Sequence, residues 1–253
     1  MTLASLLKDV RIFLLDIEGT TTPVDFVYQV LFPFARDHLG GFLQDSWGTE
    51  ETREVVDLLK TDYQEDLGQH QDLPNWQEDP LDRHRESGEN YATWLMAQDR
   101  KSTGLKALQG KIWERGYQLG ELRGEVYPDV LSAFERWAGG GKDICIFSSG
   151  SILAQQLLFS NTRYRDLKPF IKRYFDTTTG TGSKMEAESY RKISAELDAP
   201  PSAIAFVSDV VAELDAAKLS GMSTVLCLRP GLTLPENLGH PHIETFDEIS
   251  FAN

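Results

Sequence analysis

The chain has 253 residues, with 25 basic side chains against 39 acidic ones and a formal net charge of −14. With 41% hydrophobic and 25% charged residues it has the composition of an ordinary soluble globular protein, long enough for one large domain or two smaller ones. The acidic excess argues against nucleic acid as a partner and against an anionic membrane surface, because no basic surplus exists to replace their counterions. Any positive charge needed by an anionic ligand must therefore be local, from a metal ion or a well-placed lysine.

The opening stretch, Met1-Thr2-Leu3-Ala4-Ser5-Leu6-Leu7, is broken by Lys8, Asp9 and Arg11 before it could serve as a secretory signal. No later segment approaches the roughly 18 consecutive apolar residues of a membrane-spanning helix. Cys145 and Cys227 each lie within an apolar run and read as small buried thiols in a reducing compartment. A cytoplasmic protein is expected, with a monomer as the default state.

The first strand is expected at Arg11-Ile12-Phe13-Leu14-Leu15. A long segment of different character follows, from about Asp25 to about Arg123, with helical periodicity and few β-branched runs. Phe26, Val27, Val30, Leu31 and Phe34 recur at helical spacing, and Pro33 should end or kink that helix. A helix is expected from Glu51 to Leu67, with Thr49 as its N-cap. The polar stretch from Gly68 to Asn90 reads as a long loop. Helices resume at Tyr91–Met96 and Thr103–Leu122. Within this region Gln64-Glu65-Asp66 reads as a solvated helix face.

Three further strands are expected, at Asp143-Ile144-Cys145-Ile146-Phe147, Ala203-Ile204-Ala205-Phe206-Val207 and Ser223-Thr224-Val225-Leu226-Cys227-Leu228. Helices at Ser151–Phe159, Ala187–Leu197 and Glu213–Leu219 alternate with them. Near-continuous apolar runs separated by helices predict an α/β, Rossmann-like, doubly wound parallel sheet, with an all-helical insert after its first strand. The expected domains are residues 1–23 with 124–253, and residues 24–123. Gly139-Gly140-Gly141-Lys142 precedes a strand and lacks the Ser or Thr of a phosphate loop, so it reads as a helix end and turn. His240-Pro241-His242 reads as exposed.

Ligands of an open α/β sheet bind at the carboxyl ends of its strands. The first strand runs into Asp16-Ile17-Glu18-Gly19-Thr20-Thr21-Thr22-Pro23, the second into Ser148-Ser149-Gly150-Ser151, and the third into Ser208-Asp209. Period-2 geometry turns Asp16 and Glu18 to one side. If the strands are neighbours Asp209 joins them, and three carboxylates at one edge require a cation or a shared proton. Oxygen-only donors without nearby His or Cys favour Mg²⁺. Ser148, Ser149 and the start of the following helix make a candidate anion site. Lys184, in the Gly/Thr-rich loop from Thr177, can supply the fixed positive charge. Alone, each of these features has a plain structural reading as turn, cap or solvated charge. Together they make a phosphoryl-transfer site.

The ordered set Asp16-Ile17-Glu18-Gly19-Thr20, Ser148, Lys184 and Asp209 resembles the four signature motifs of the haloacid dehalogenase-like hydrolases, and the helical insert resembles their cap domain. Four stretches, Leu15 to Pro23, Asp99-Arg100-Lys101-Ser102-Thr103-Gly104-Leu105-Lys106-Ala107-Leu108-Gln109-Gly110, Phe147-Ser148-Ser149-Gly150-Ser151 and Lys184 to Ile193, resemble the enolase-phosphatases (acireductone synthases) of methionine salvage. That resemblance implies a Mg²⁺ enzyme that enolises 2,3-diketo-5-methylthiopentyl-1-phosphate and then removes the phosphate, giving the acireductone. It implies Asp16 as the nucleophile, Mg²⁺ on Asp16, Glu18 and Asp209, substrate phosphate on Ser148 and Ser149, and Lys184 in contact with substrate. Glu18 stands where most of the superfamily has Asp, which leaves open whether it binds the metal by its side chain or by its backbone carbonyl while the side chain transfers a proton. Glu213 is a candidate outer ligand, and Phe26, Tyr28 and Trp94 are candidate readers of the methylthio tail. The alternative is another capped phosphatase of the same superfamily acting on a different small phosphoester.

Overall fold

The computed structural model describes residues 2–100, 102–178, 180–231 and 239–250. Two compact units emerge, Met1–Val27 with Arg123–Asn253, and Tyr28–Leu122. The first unit is built on six parallel strands, β1 (Ile12–Leu15), β2 (Asp143–Ser148), β3 (Ile171–Asp176), β4 (Ile204–Ser208), β5 (Ser223–Cys227) and β6 (His242–Ile243), in the order β3-β2-β1-β4-β5-β6. The four expected strands are present. Two more were not visible in the sequence: β3 lies at the sheet edge with exposed Lys172 and Arg173, so it shows no continuous apolar run, and β6 is only two residues long.

Helices cover both faces. On one, Ile12, Leu14, Phe147, Phe206 and Leu226 form a core with Tyr190 and Ile193 of α9 (Ala187–Glu196) and Leu214 and Ala217 of α10 (Val211–Leu219). On the other, Phe13 stacks on Trp137 of α7 (Pro128–Gly139) with ring centroids 4.3 Å apart, and Trp137 meets Phe246 at 5.2 Å. The alternation of Ile12 and Leu14 with Phe13 is the period-2 reason that a fully buried strand needs an apolar residue at every position. Helix α7 stops at the Gly139–Gly141 turn, where Gly141 has φ 71°, in keeping with the expected helix end. Cys145 and Cys227 are buried and free. His240, expected to be exposed, is 3% exposed: its imidazole meets the Thr224 hydroxyl at 2.8 Å and Asp215 at 3.1 Å.

The strand order fixes where a ligand can sit. From β1 the chain builds outward through β2 and β3, then returns to place β4 on the other side of β1. The carboxyl ends of β1 and β4 therefore flank the topological switch point. Leu15 is in register with Ile146 and Val207, so Asp16, Ser148 and Ser208 emerge along the same edge.

The second unit is helical. The first unit carries α1 (Leu3–Leu6) before β1 and a short α2 (Val24–Phe26) after it; a π-helical stretch (Val27–Leu31) leads from there into the second unit, with α3 (Phe32–Ser46), α4 (Glu50–Asp66), α5 (Leu81–Ala97) and α6 (Thr103–Gln118). Pro33 does not end the helical run: the π-helical stretch passes directly into α3, and Pro33 lies in the first turn of α3, where the helix type changes. Thr49 caps α4 by accepting the Thr52 amide at 3.3 Å. The expected 68–90 loop is shorter, because α5 begins at Leu81. Its first buried residues are Ser87 and Gly88, which continue the face of Tyr91, Ala92 and Leu95 without an apolar signal. Asp66 is not solvated: it is 2% exposed, accepts from the Tyr91 hydroxyl at 2.8 Å and pairs with Arg100 at 2.6 Å. Helix α6 ends four residues early, where Gly120 takes φ 73° and the amides of Glu121 and Leu122 turn back to the Gly116 carbonyl.

In the stretch Asp99–Gly110, Ser102 caps α6 and Lys101 lies outside the described residues. Gly104 lies against α4: a Cβ there would sit 2.5 Å from the Leu59 amide nitrogen and 2.7 Å from Asp62 Oδ2, which already accepts the Gly104 amide. We expect Gly104→Ala to destabilise the protein by about 1–3 kcal/mol despite the better helix propensity of Ala. Urea unfolding checks this, and an unchanged or raised midpoint would show that α4 and α6 tolerate a wider separation.

Candidate active site

As β1 ends, the Asp16 amide still donates to Val207 of β4 at 3.0 Å, and the chain then folds into a tight turn. The Ile17 carbonyl accepts the amides of Thr20, Thr21 and Thr22 at 3.2, 3.0 and 2.8 Å, and the Gly19 amide returns to the Thr22 carbonyl at 2.9 Å. The Thr21 hydroxyl donates to the Asp16 carbonyl at 3.0 Å. Gly19 is demanded twice over: its φ is 72°, and a Cβ would stand 2.2 Å from Asp209 Oδ2. The turn thus lets Asp209, from the end of β4, press against the backbone that carries Asp16. Glu18 sits in this turn, partly exposed, its backbone bridged to Thr22.

Lys184 reaches the same edge from the loop after β3 and is 8% exposed. Its ammonium lies 2.6 Å from Asp16 Oδ1 and 2.6 Å from Glu213 Oε2, on the first turn of α10. The Ser208 hydroxyl meets Glu213 Oε2 at 2.9 Å and Asp16 Oδ2 at 3.3 Å. Burial pulls the Lys184 ammonium toward neutrality, but the charges of Asp16 and Glu213 outweigh it and the group stays protonated beyond the ordinary lysine range. Behind it, the Tyr190 hydroxyl donates to the Lys184 carbonyl at 2.8 Å and fixes the loop.

One lysine cannot neutralise all the acids here. Asp209 Oδ1 is buried without a hydrogen-bond partner. Burial, followed by the charge of Asp16, pushes the Asp209 carboxyl up to about 7. Burial and the Asp16 charge likewise raise Glu213. Among the described residues no three His, Cys, Asp or Glu side chains converge as a ready metal cage. The donor chemistry still fits a small hard cation, because Asp16 and Asp209 are oxygen donors on one edge and the orphaned Asp209 oxygen has no other partner.

Ser148 is buried at the end of β2 and accepts the Gly150 amide at 3.1 Å; Ser149 follows, half-buried. Ser151 caps α8 (Ile152–Ser160). Asp176, at the end of β3 and not singled out by the sequence, accepts the Ile152 amide at 3.2 Å. That carboxylate already answers one donor of the α8 N-terminus, so the two serines carry the expectation of anion binding there. Of the aromatics considered for the tail, Phe26 is buried, Trp94 donates to Asp72 at 3.0 Å and stacks on Tyr91, and Tyr28 is exposed. The pairing of Glu213 with Lys184, and of Ser208 with Glu213, also went unread, because the spacing of Ser208 and Glu213 within one strand-to-helix junction carries no apolar or charge pattern.

With this geometry in view, a sequence model described as haloacid dehalogenase-like hydrolase matches residues 10–221. Enolase-phosphatase E1 of Synechococcus elongatus is 49% identical over 93% of this chain and 96% of its own length. The enolase-phosphatase E1 of Anopheles gambiae is 41% identical over 94% of this chain and 81% of its own. The chain belongs to the enolase-phosphatase E1 family of haloacid dehalogenase-like hydrolases. Among solved structures, the yeast UTR4 protein superimposes with a TM-score of 0.76 at 30% identity, covering 95% of this chain and all of that one. CbbY of Rhodobacter sphaeroides, at 16% identity and a TM-score of 0.54, shares the fold.

Asp209 gives a pH signature. An acid whose native pKa is raised binds its proton more tightly in the folded state, so its contribution to stability is present at low pH. That contribution is lost as the pH climbs from the ordinary carboxylate range through the raised value of about 7. In EDTA, Asp209→Asn should raise the thermal midpoint at about pH 8 and leave it nearly unchanged at about pH 4. An equal effect at both pH values would mean that Asp209 is not held in this electrostatic conflict.

Proposed function

We propose that this protein is a Mg²⁺-dependent enolase-phosphatase, converting 2,3-diketo-5-methylthiopentyl-1-phosphate to the acireductone and phosphate in methionine salvage. The observation that carries the reading is Asp16 at the sheet switch point, ion-paired to Lys184 beside Asp209, in a chain 49% identical to enolase-phosphatase E1 over nearly its full length. Residues 28–122 are assigned as the cap and the rest as the catalytic core. The working form is taken as a cytoplasmic monomer; the two free buried thiols accord with a reducing compartment.

Asp16 Oδ1 is committed to the Ile17 amide at 2.7 Å and to Lys184, whereas Oδ2 has only Ser208 at 3.3 Å. Oδ2 is therefore the freer oxygen to attack phosphorus. The new O–P bond forms as the P–O bond to the substrate breaks, giving an aspartyl-phosphate on Asp16. Water then attacks that phosphorus, releasing phosphate and restoring the carboxylate. Lys184 offsets the negative charge of nucleophile and substrate, with Glu213, itself held by the Ser208 hydroxyl, keeping its ammonium in place. Ser148 and Ser149 bind the phosphoryl oxygens by hydroxyl donation. Mg²⁺ would be held by Asp16, Asp209 and Glu18 and would supply the charge neutralisation that lets a dianionic ester approach a carboxylate. Glu18 is further assigned to proton transfer in the enolisation.

The test is phosphate release from a panel of small phosphoesters that includes the diketo ester. Release strongest for the diketo ester, appearing together with the enediol absorbance and abolished by EDTA, is the expected result. Release from other esters alone would discard the pathway assignment, and no release from any would discard the enzyme. Asp16→Asn should lower kcat by at least about 10³-fold with the fold intact, and Lys184→Ala by about 10²–10³-fold. Near-wild-type release by Asp16→Asn would remove it as nucleophile.

A further inference from the structure

Arg229 follows β5 and is 3% exposed, at some distance in sequence from every residue assigned above. Its Nε and Nη2 both donate to the Thr20 carbonyl, at 2.9 and 2.7 Å, and its Nη1 pairs with Asp129 Oδ2 at 2.6 Å. The guanidinium lies between the rings of Tyr127 and Phe246, 4.3 and 4.6 Å from their centroids. Asp129 is itself fixed, accepting from the Thr245 hydroxyl at 2.9 Å and the Phe246 amide at 2.6 Å. Next along the turn, the Thr21 carbonyl accepts the Tyr127 amide at 3.0 Å. Two consecutive carbonyls of the Asp16 turn are thus anchored from outside it.

Burying an ion pair costs desolvation that an apolar residue of the same size would avoid, so such pairs are better explained by the geometry they enforce. Here the enforced geometry is specific. A planar fork with both N–H groups on one carbonyl oxygen fixes that oxygen in the guanidinium plane, and the Tyr127 amide on the next carbonyl supplies a second anchor. Thr20 is joined directly to Gly19, whose backbone has no room to move toward Asp209. We infer that Arg229 is a positioning residue for phosphoryl transfer: by clamping the Thr20 carbonyl it sets Gly19 against Asp209, and so sets the separation of the Asp16 and Asp209 carboxylates. The inference rests on the phosphatase reading given above.

Arg229→Lys separates this role from general stability. Lysine keeps the positive charge opposite Asp129 but cannot straddle one carbonyl with two parallel N–H groups. Asp129→Asn does the reverse, weakening the ion pair while leaving the fork on Thr20. We expect Arg229→Lys to lower kcat by about 10–100-fold with KM within about threefold, and to weaken calorimetric Mg²⁺ binding by about tenfold, with a small change in melting midpoint. Asp129→Asn should lower the midpoint more while holding kcat within about threefold. Wild-type kcat and Mg²⁺ affinity in Arg229→Lys, or losses in both variants that track their melting midpoints, would overturn the inference. If Arg229→Lys does not fold, the double variant Asp129→Asn, Arg229→Gln removes both buried charges together and is read the same way. A wild-type protein that releases no phosphate would instead defeat the phosphatase reading; the Mg²⁺ titration would then decide the clamp, with unchanged affinity in Arg229→Lys counting against it.

Discussion

A single ammonium group, that of Lys184, lies between two buried carboxylates, and the architecture around the switch point follows from the need to bring it there. Asp16 comes from the central strand, Glu213 from the first turn of α10, and Lys184 from a loop beyond the edge strand β3. Three parts of the chain far apart in sequence meet because the sheet reverses its winding between β1 and β4. Without the lysine, two acids would face each other in a place shielded from water, which is strongly unfavourable unless one takes up a proton. With it, one of the two charges is offset, and Asp209 adds to the acidic surplus that remains. That surplus separates a structural ion pair from a site prepared for something positively charged.

The turn from Ile17 to Thr22 is the mechanical counterpart of that electrostatic arrangement. Its own amides close on the Ile17 carbonyl, Asp209 presses on Gly19 from one side, and the Arg229 fork holds Thr20 from the other. Backbone rigidity at Asp16, the proposed nucleophile, would avoid reorganisation during the reaction, the condition under which fixed charges act most effectively on a transition state.

Much of this was legible in the sequence, and the reasons are physical. Strands buried on both faces are apolar at every position, so β1, β2, β4 and β5 stood out, and the acids and hydroxyls that interrupt those runs marked the carboxyl edge. Strand β3 was hidden because an edge strand can carry adjacent exposed charges, here Lys172 and Arg173, that break its apolar run. The start of α5 was hidden because Ser87 and Gly88 form its buried face. His240 and Asp66 read as solvated since polarity was visible while their partners, Thr224, Asp215, Tyr91 and Arg100, were not. The same limit concealed Arg229 and Asp129, which are about 100 residues apart in the chain and joined at 2.6 Å. A salt bridge between distant positions leaves no local pattern; only the folded geometry displays it.

The most direct test of the account is to trap the phosphorylated group. The protein is quenched during turnover of the diketo phosphoester, reduced with borohydride and digested, and the peptide spanning residue 16 is weighed. Reductive conversion of the residue-16 acyl phosphate to homoserine, absent when substrate is omitted, is the predicted result. Turnover with Asp16 unmodified, or homoserine at a different carboxylate, would contradict it.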